Sequence, residues 1–288
     1  MDSMNRRQFL GTTLAGIATA TITSPALGEE KKKSISDLVP LGNTGIKVSR
    51  LAFGTGTHGT GTSSDQTKLG MDKLTELLCH AYDSGIAFFD TADSYGSHTF
   101  MRNALKTIPR EKVVIESKIW WRFERDPRQE LDRFRKELGT DYIDTVLLHC
   151  MMEDDWPSKM ERYRDALSKA KEEKIIRAHG FSCHSLGALK AGLACDWVDV
   201  AFARINPAGK YMDGPPDTVV PILKNIHDSG KGLIGMKILG EGTLADQRDG
   251  CLKYVLGLGT VDTLVIGFTK REEIDDIIKR MNRHLNLS

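Results

Sequence analysis

From residue 37 onward, short apolar or β-branched runs alternate with segments whose apolar residues recur at helical spacing. This alternation restricts the folds open to the chain more than any other feature. The runs are SRLAFGT (49–55), IAFFDTA (86–92), KVVIESK (112–118), DTVLLHC (144–150), RAHGFSC (177–183), VDVAFARIN (198–206), GLIGMKIL (232–239) and DTLVIGF (262–268). Between them, Leu74, Leu77, Leu78 and Ala81 stripe one helix that Gly85 should stop. Pro127 opens another, with Leu131, Phe134 and Leu138 on one face and Gly139 at its end. Tyr163, Leu167 and Ala170 stripe a third, and 217–226 and 271–281 read similarly. Strand–helix units repeated over about 250 residues predict an α/β fold, a (β/α)8 TIM barrel. Leu38 to Ser49 precedes it as an N-terminal β-hairpin around Asn43-Thr44-Gly45. A doubly wound sheet is the alternative and would want a G-x-G-x-x-G turn after its first strand. The stretch Gly54-Thr55-Gly56-Thr57-His58-Gly59 is set aside, its glycine spacing being read as wrong for that turn.

The first 28 residues stand apart. Asn5-Arg6-Arg7-Gln8-Phe9-Leu10 leads into a mildly apolar, Thr- and Ala-rich stretch, with Ala26 and Gly28 as small residues before a cut. Basic start, apolar middle and small-residue end predict a signal peptide over 1–28. The paired arginines resemble the twin-arginine export signal, which implies a periplasmic destination. Residues 29–36 then form a linker and 37–288 the barrel. The apolar stretch is too short and Thr-rich for a stable membrane span. A formal net charge of +1 argues against a nucleic-acid partner held by bulk electrostatics. Five scattered cysteines with no C-x-x-C signal neither a zinc ribbon nor a redox pair, and read best as buried thiols.

Barrel enzymes carry their chemistry where strands end. Here the second run ends in Asp90, with Tyr95 just beyond; the third ends in Lys118 and the fourth in His149. These four converge on one rim. A phenol near its ordinary pKa of ~10 is a poor acid–base group, but a neighbouring ammonium favours the phenolate and lowers that value. A carboxylate beside the lysine keeps it charged and in place. Such a tyrosine can protonate a developing alkoxide, while a histidine steadies the carbonyl oxygen. A proton donor aimed at a carbonyl needs a hydride source, and nicotinamide is the natural one. The same residues leave other readings open: a cofactor-holding sensor or accessory subunit without turnover, a Schiff-base lyase using Lys118, or a metal hydrolase using His58 and His149. The last lacks third and fourth ligands at readable spacing, so no metal is expected.

LGNTGIKVSRLAFGTG, FFDTADSYG, VVIESK, DYIDTVLLH, IIRAHGFS and TLVIGF, in that order, resemble the aldo/keto reductase superfamily over about residues 37 to 280. The resemblance implies an NAD(P)-dependent carbonyl reductase with the tetrad Asp90, Tyr95, Lys118 and His149, Tyr95 being the proton donor. Carried over residue by residue, it implies cofactor contacts from Gly54, Thr55, Asp90, Ser182 and Cys183, the last standing where the family usually has Asn. Met236 takes the place of a tyrosine stacked on nicotinamide, and Phe202 that of a glutamine. Asn206 remains a rim candidate. Lys237 and Gly240 fall near the diphosphate, and Gly267, Thr269, Lys270 and Glu273 near the adenosine. Lys270 and Arg271 favour NADP, with NAD left open. Trp120, Trp121, His58, His149 and Tyr211 are the expected substrate wall around a small-molecule carbonyl compound. With little chain beyond the last helix, an open site is expected, suited to a sugar or a partner-borne carbonyl. Substrate identity and oligomeric state are not legible.

Overall fold

A computed structural model describes residues 32–121 and 125–287; the signal peptide expected over 1–28 lies outside them. The expected hairpin is present. Strand β1 (Leu38–Pro40) pairs antiparallel with β2 (Lys47–Ser49), Val39 opposite Val48. Its apolar residues Leu41, Ile46 and Val48 are buried with the inward-facing side chains of the barrel, so the hairpin plugs the barrel's N-terminal mouth. Gly42 makes this seal. Its φ is +49°, and a Cβ there would lie 2.3 Å from the amide nitrogen of Gly232, closer than any side chain allows.

The barrel strands are β3 (Leu51–Gly54), β4 (Phe88–Asp90), β5 (Val114–Ile119), β6 (Ile143–Met151), β7 (Ile176–Cys183), β8 (Val200–Arg204), β9 (Gly232–Met236) and β10 (Thr263–Gly267). All neighbours are parallel, and β10 pairs with β3 to close the ring. Each expected run is therefore a strand. Several are shorter than expected; β9 stops at Met236 because Lys237 turns into left-handed backbone at φ +57°. Inward-facing Ala52, Phe88, Val114, Leu147, Val200 and Ile234 fill the barrel centre. Outward-facing residues pack under the helices in a second, larger core, which is the period-two alternation that a covered barrel strand requires.

The helices are α1 (Met71–Asp83), α2 (His98–Ala104), α3 (Pro127–Leu138), α4 (Trp156–Lys159), α5 (Glu161–Glu172), α6 (Leu186–Ala194), α7 (Pro216–Asp228), α8 (Arg248–Gly257) and α9 (Arg271–Leu285). Helix α1 buries the expected Leu74, Leu77, Leu78 and Ala81. At the start of α3, Asp126 accepts hydrogen bonds from the amides of Arg128 and Gln129, and Gly139 ends it in left-handed backbone. Helices α2, α4, α6 and α8 were not expected from the sequence: α2 and α4 are two turns or shorter, α6 (LGALKAGLA) has almost no polar face to give it a period, and α8 (RDGCLKYVLG) carries a glycine in its first turn and ends on another. The fold reaches back into the expected linker, since Ile35 is buried and its amide donates to Asn282 Oδ1 at 2.8 Å. No helix among the described residues is long and apolar enough to cross a membrane.

Candidate active site

The four strand-end residues singled out in the sequence do meet at the C-terminal rim. Asp90 ends β4 opposite Gly54 of β3 and Glu116 of β5. Lys118, fully buried on β5, touches Asp90 Oδ1 through its ammonium and donates to the carbonyl of Thr91 at 3.2 Å. Its Nζ lies 5.2 Å from the centre of the Tyr95 ring and 4.6 Å from that of Phe202. Tyr95 closes a short 3-10 turn (Asp93–Tyr95), and its Oη stands 3.4 Å from His149 Nε2. His149 Nδ1 is 3.4 Å from Ser94 Oγ, so one loop engages both ring nitrogens. The aim of His149 depends on a bulge. The β6–β7 register shifts between Leu148 and Met151, Cys150 adopts φ +63°, and its amide donates to Ser182 Oγ at 2.8 Å.

Two glycines in the loop after β3 fit around the Tyr95 ring. A Cβ on Gly56 would lie 2.3 Å from its Cζ and Cε2, and one on Gly59 2.4 Å from its Cδ1. The stretch Gly54 to Gly59 does have the G-x-G-x-x-G spacing, so the sequence reading set it aside for the wrong reason. Its context is what separates it from a dinucleotide turn: α1 begins only at Met71, and Gly56 and Gly59 leave room for the phenol. Thr55 braces the same loop, donating from Oγ1 to the carbonyl of Asp90 at 2.8 Å and lying 2.8 Å from Ser97 Oγ.

The electrostatics depart from expectation at one point. Burial raises the Tyr95 phenol above its usual value; Lys118 pulls the other way without overcoming it, and Asp90 and Glu116 add to the rise. The phenol therefore holds its proton in the resting protein, the form a proton donor needs. His149 is pushed well below its ordinary value, first by burial, then by Lys118, His184 and Lys237, and is a neutral imidazole. Lys118 is held above the ordinary lysine range: Asp90, Tyr95 and Glu116 favour its charged form and together outweigh its burial.

From Tyr95 a cleft of about 430 Å³ runs across the rim. At the tyrosine end it is lined by Gly54, Asp90, Phe202 and Met236; Lys237, Glu241 and His58 line it further along, and Gly267, Thr269, Glu273, Arg248 and Asp276 complete it. Lys237 is paired with Glu241, and Arg248 with Asp276 at 3.0 Å. Thr269 donates its amide to Glu273 Oε2 at 2.8 Å. The glycines at Gly54 and Gly267 keep the wall shallow, since a Cβ on Gly267 would lie 2.1 Å from Thr57 Oγ1. Apolar side chains such as Phe202, Met236, Val265 and Phe268 share this wall with two cations, Lys237 and Arg248, each held by a carboxylate of the same wall.

The remaining residues singled out in the sequence sit around this cleft without lining it. Ser182 is buried and holds the Cys150 amide. Cys183 is buried, its Sγ 3.0 Å from the carbonyl of Ser185, and burial raises its thiol. Asn206 joins two loops, donating to the carbonyl of Lys210 after β8 and to that of Lys237 after β9, and accepting from the amides of Ala208 and Lys210. Gly240 is buried at a turn, and Lys270 is exposed just before α9. Trp120 meets the His149 ring edge-on, centres 5.0 Å apart, and Trp121 Nε1 donates to the carbonyl of His149 at 3.0 Å. Tyr211 is 51% exposed and away from the cleft lining. All five cysteines are free thiols; Cys183 and Cys251 are buried as expected, whereas Cys79, Cys150 and Cys195 are only half-buried. Two residues were missed: Arg248 on the cleft wall, which lacks a strand-end position, and Glu116 beside Lys118, which the apolar run VVIESK disguised as a surface alternation.

Comparison with known proteins places this closed parallel barrel in a family. Residues 50–250 match the Aldo/keto reductase family, and the chain belongs to it. It is similar to the NADH-specific methylglyoxal reductase of Escherichia coli, with 29% identity over 198 residues, 61% of this chain and 60% of that protein. It is also similar to an aldo-keto reductase of Glycine max, with 31% identity over 219 residues, 71% of this chain and 60% of the relative. Both matches thus span less than two-thirds of the relatives' own length. Among solved structures, an aldo-keto reductase described from Pseudomonas aeruginosa superposes with a TM-score of 0.72 at 25% identity, over 88% of this chain and 99% of that one.

Proposed function

We propose that this chain reduces small aldehydes and ketones to alcohols, reversibly, with NADP(H) as cofactor. The observation that carries this reading is a buried phenol beside a neutral imidazole, with Lys118 and Asp90 behind it, on the wall of a cleft of about 430 Å³. The bound nicotinamide would supply the hydride. Met236 and Phe202 would form its apolar floor, Lys237 would meet the diphosphate, and Arg248, Thr269 and Glu273 would face the nucleoside end. Asp90 holds Lys118 in its charged form, and Lys118 lowers the cost of a transient Tyr95 phenolate. His149 with its proton on Nε2 donates to the carbonyl oxygen as charge grows there, and Tyr95 Oη–H then protonates that oxygen. Trp120, edge-on to His149, would border the carbonyl compound. The name of the Escherichia coli relative points to small dicarbonyls as first substrates to try. Tyr95→Phe should lower turnover by about 10²–10⁴-fold while leaving nicotinamide fluorescence on titration unchanged. If Tyr95→Phe reduces methylglyoxal at the parent rate, the assignment of Tyr95 fails.

We further propose that residues 1–28 direct the folded protein across the inner membrane by the twin-arginine route. Paired arginines before Phe9-Leu10 support this, as does the need to load a cofactor before export. Fractionation of cells making the full chain or its Arg6→Lys/Arg7→Lys variant tests it; equal periplasmic yields would refute it.

A further inference from the structure

Glu116 is a buried acid to which the reading above gives no part. It sits two residues before Lys118 on β5, so both side chains enter the barrel, and the β4–β5 register places it directly opposite Asp90. Its Oε1 lies 3.1 Å from Lys118 Nζ without the angle of a hydrogen bond, and the Glu116 and Asp90 carboxyls are themselves within hydrogen-bonding reach. Its Oε2 accepts from Thr145 Oγ1 at 3.3 Å. The side chains of Glu116 and Lys118 are fully buried, and that of Asp90 is 5% exposed. One ammonium thus faces two carboxyl groups out of contact with water.

A buried ammonium can offset one carboxylate; a second must be desolvated without compensation, and it takes up a proton instead. Asp90 holds the closer contact with Lys118, so the proton belongs on the Glu116 side. We propose that Glu116 is a positioning residue, which shares one proton with Asp90 across the β4–β5 register and thereby keeps Tyr95 able to donate its own. The inference rests on the reductase reading above. Burial pushes Glu116 up to about 8 and raises Asp90 as well; Lys118 opposes both, and Asp90 adds to the rise at Glu116. The titratable groups that bear on it are Asp90 from β4, Tyr95 from the following loop and Lys118 on its own strand; from β6 the facing side chain is Thr145. Phe202 on β8 covers Lys118 and adds no charge.

The proton balance is simple. In a reduction the Tyr95 O–H bond breaks and the proton goes to the former carbonyl oxygen. Lys118 counters the phenolate, and Glu116 keeps its proton throughout. In alkaline solution Glu116 releases its proton to water and becomes an anion. That anion draws on the ammonium that the phenolate needs, so Tyr95 becomes a weaker donor and reduction slows.

The test compares the parent with Glu116→Gln, which keeps the shape and cannot ionise. Reduction of methylglyoxal with NADPH is followed from pH 6 to pH 10, each protein referred to its own rate at pH 7. The parent should lose about tenfold per pH unit above roughly pH 8, and Glu116→Gln should lose that limb. An infrared pH titration of the same proteins reads the carboxylic acid C=O band without turnover. A band vanishing near pH 8 in the parent and absent from Glu116→Gln is expected. Should Glu116→Gln fail to fold, Glu116→Asp replaces it, and its shorter carboxyl should move the limb and the band together. The same alkaline limb in parent and variant overturns the inference, as does a parent spectrum without a band titrating above pH 6. A parent that shows the band and reduces no carbonyl compound would refute the reductase reading while leaving the shared proton in place.

Discussion

Replacing Gly56 by alanine tests whether the loop after β3 exists to seat the catalytic phenol. The added Cβ would lie 2.3 Å from Tyr95 Cζ and Cε2 and 2.7 Å from Cδ2. Carbon atoms rest at ~3.5–4.0 Å, so the ring must retreat by about 1.2–1.7 Å. The opposite ring edge is closed by Gly59, whose own Cβ position is 2.4 Å from Cδ1. Gly56 is not in left-handed backbone, so alanine fits the chain itself and the strain falls on the ring. Tyr95 Oη then leaves its place 3.4 Å from His149 Nε2. A misplacement of ~1 Å at the reacting atoms costs on the order of 10²-fold in rate. We therefore expect kcat/KM for methylglyoxal to fall about 10²-fold, ~2.7 kcal/mol of transition-state stabilisation. Overpacking should cost no more than ~1–3 kcal/mol of stability. Steady-state kinetics by absorbance of the reduced cofactor, with a thermal melt and a cofactor titration on the same preparation, separates the two effects. A Gly56→Ala protein that folds and keeps kcat/KM within about threefold of the parent would show that the ring is not held by this fit.

Other outcomes follow from the same geometry. Lys118→Met leaves Asp90 and Glu116 buried without a cation and should cost about 3–5 kcal/mol in urea unfolding at pH 8. The loss should shrink at pH 5, where both carboxyls protonate; an equal loss at both pH values would count against the buried triad. Glu116 has a folded pKa of about 8 against an ordinary 4.5, so its contribution to stability is full below pH 4.5 and is lost as pH rises through 8. At ~1.4 kcal/mol per unit this amounts to a few kcal/mol, and the Tm of the parent should fall between pH 5 and pH 9 more steeply than that of Glu116→Gln. Arg248→Ala removes a cation from the nucleoside end of the cleft and should weaken NADPH by about tenfold, with a smaller effect on NADH. Equal effects on the two cofactors would mean that Arg248 meets no 2′-phosphate.

The barrel was legible because its signal is periodic and local. Runs such as IAFFDTA and DTVLLHC announce strands by alternation, and the stripe Leu74, Leu77, Leu78 and Ala81 announces a helix, without reference to distant residues. Strand ends followed, so the sequence alone determined that Asp90, Lys118 and His149 emerge at one rim with Tyr95 nearby. Which charge state each group holds was beyond it. The Tyr95 phenol was expected low beside an ammonium and lies high, because its ring is buried against Gly56 and Gly59 of the loop after β3. Ser182 accepts from the Cys150 amide, and the Asn206 side chain ties the loop after β8 to Lys237 after β9, pairings that no local pattern in the sequence announces. Glu116 looked like one polar residue in an apolar run, and only the register with β4 makes it a second carboxyl on Lys118. Periodicity is written along the chain, whereas solvation and pairing are decided across it, and the tertiary structure alone brings those partners within reach.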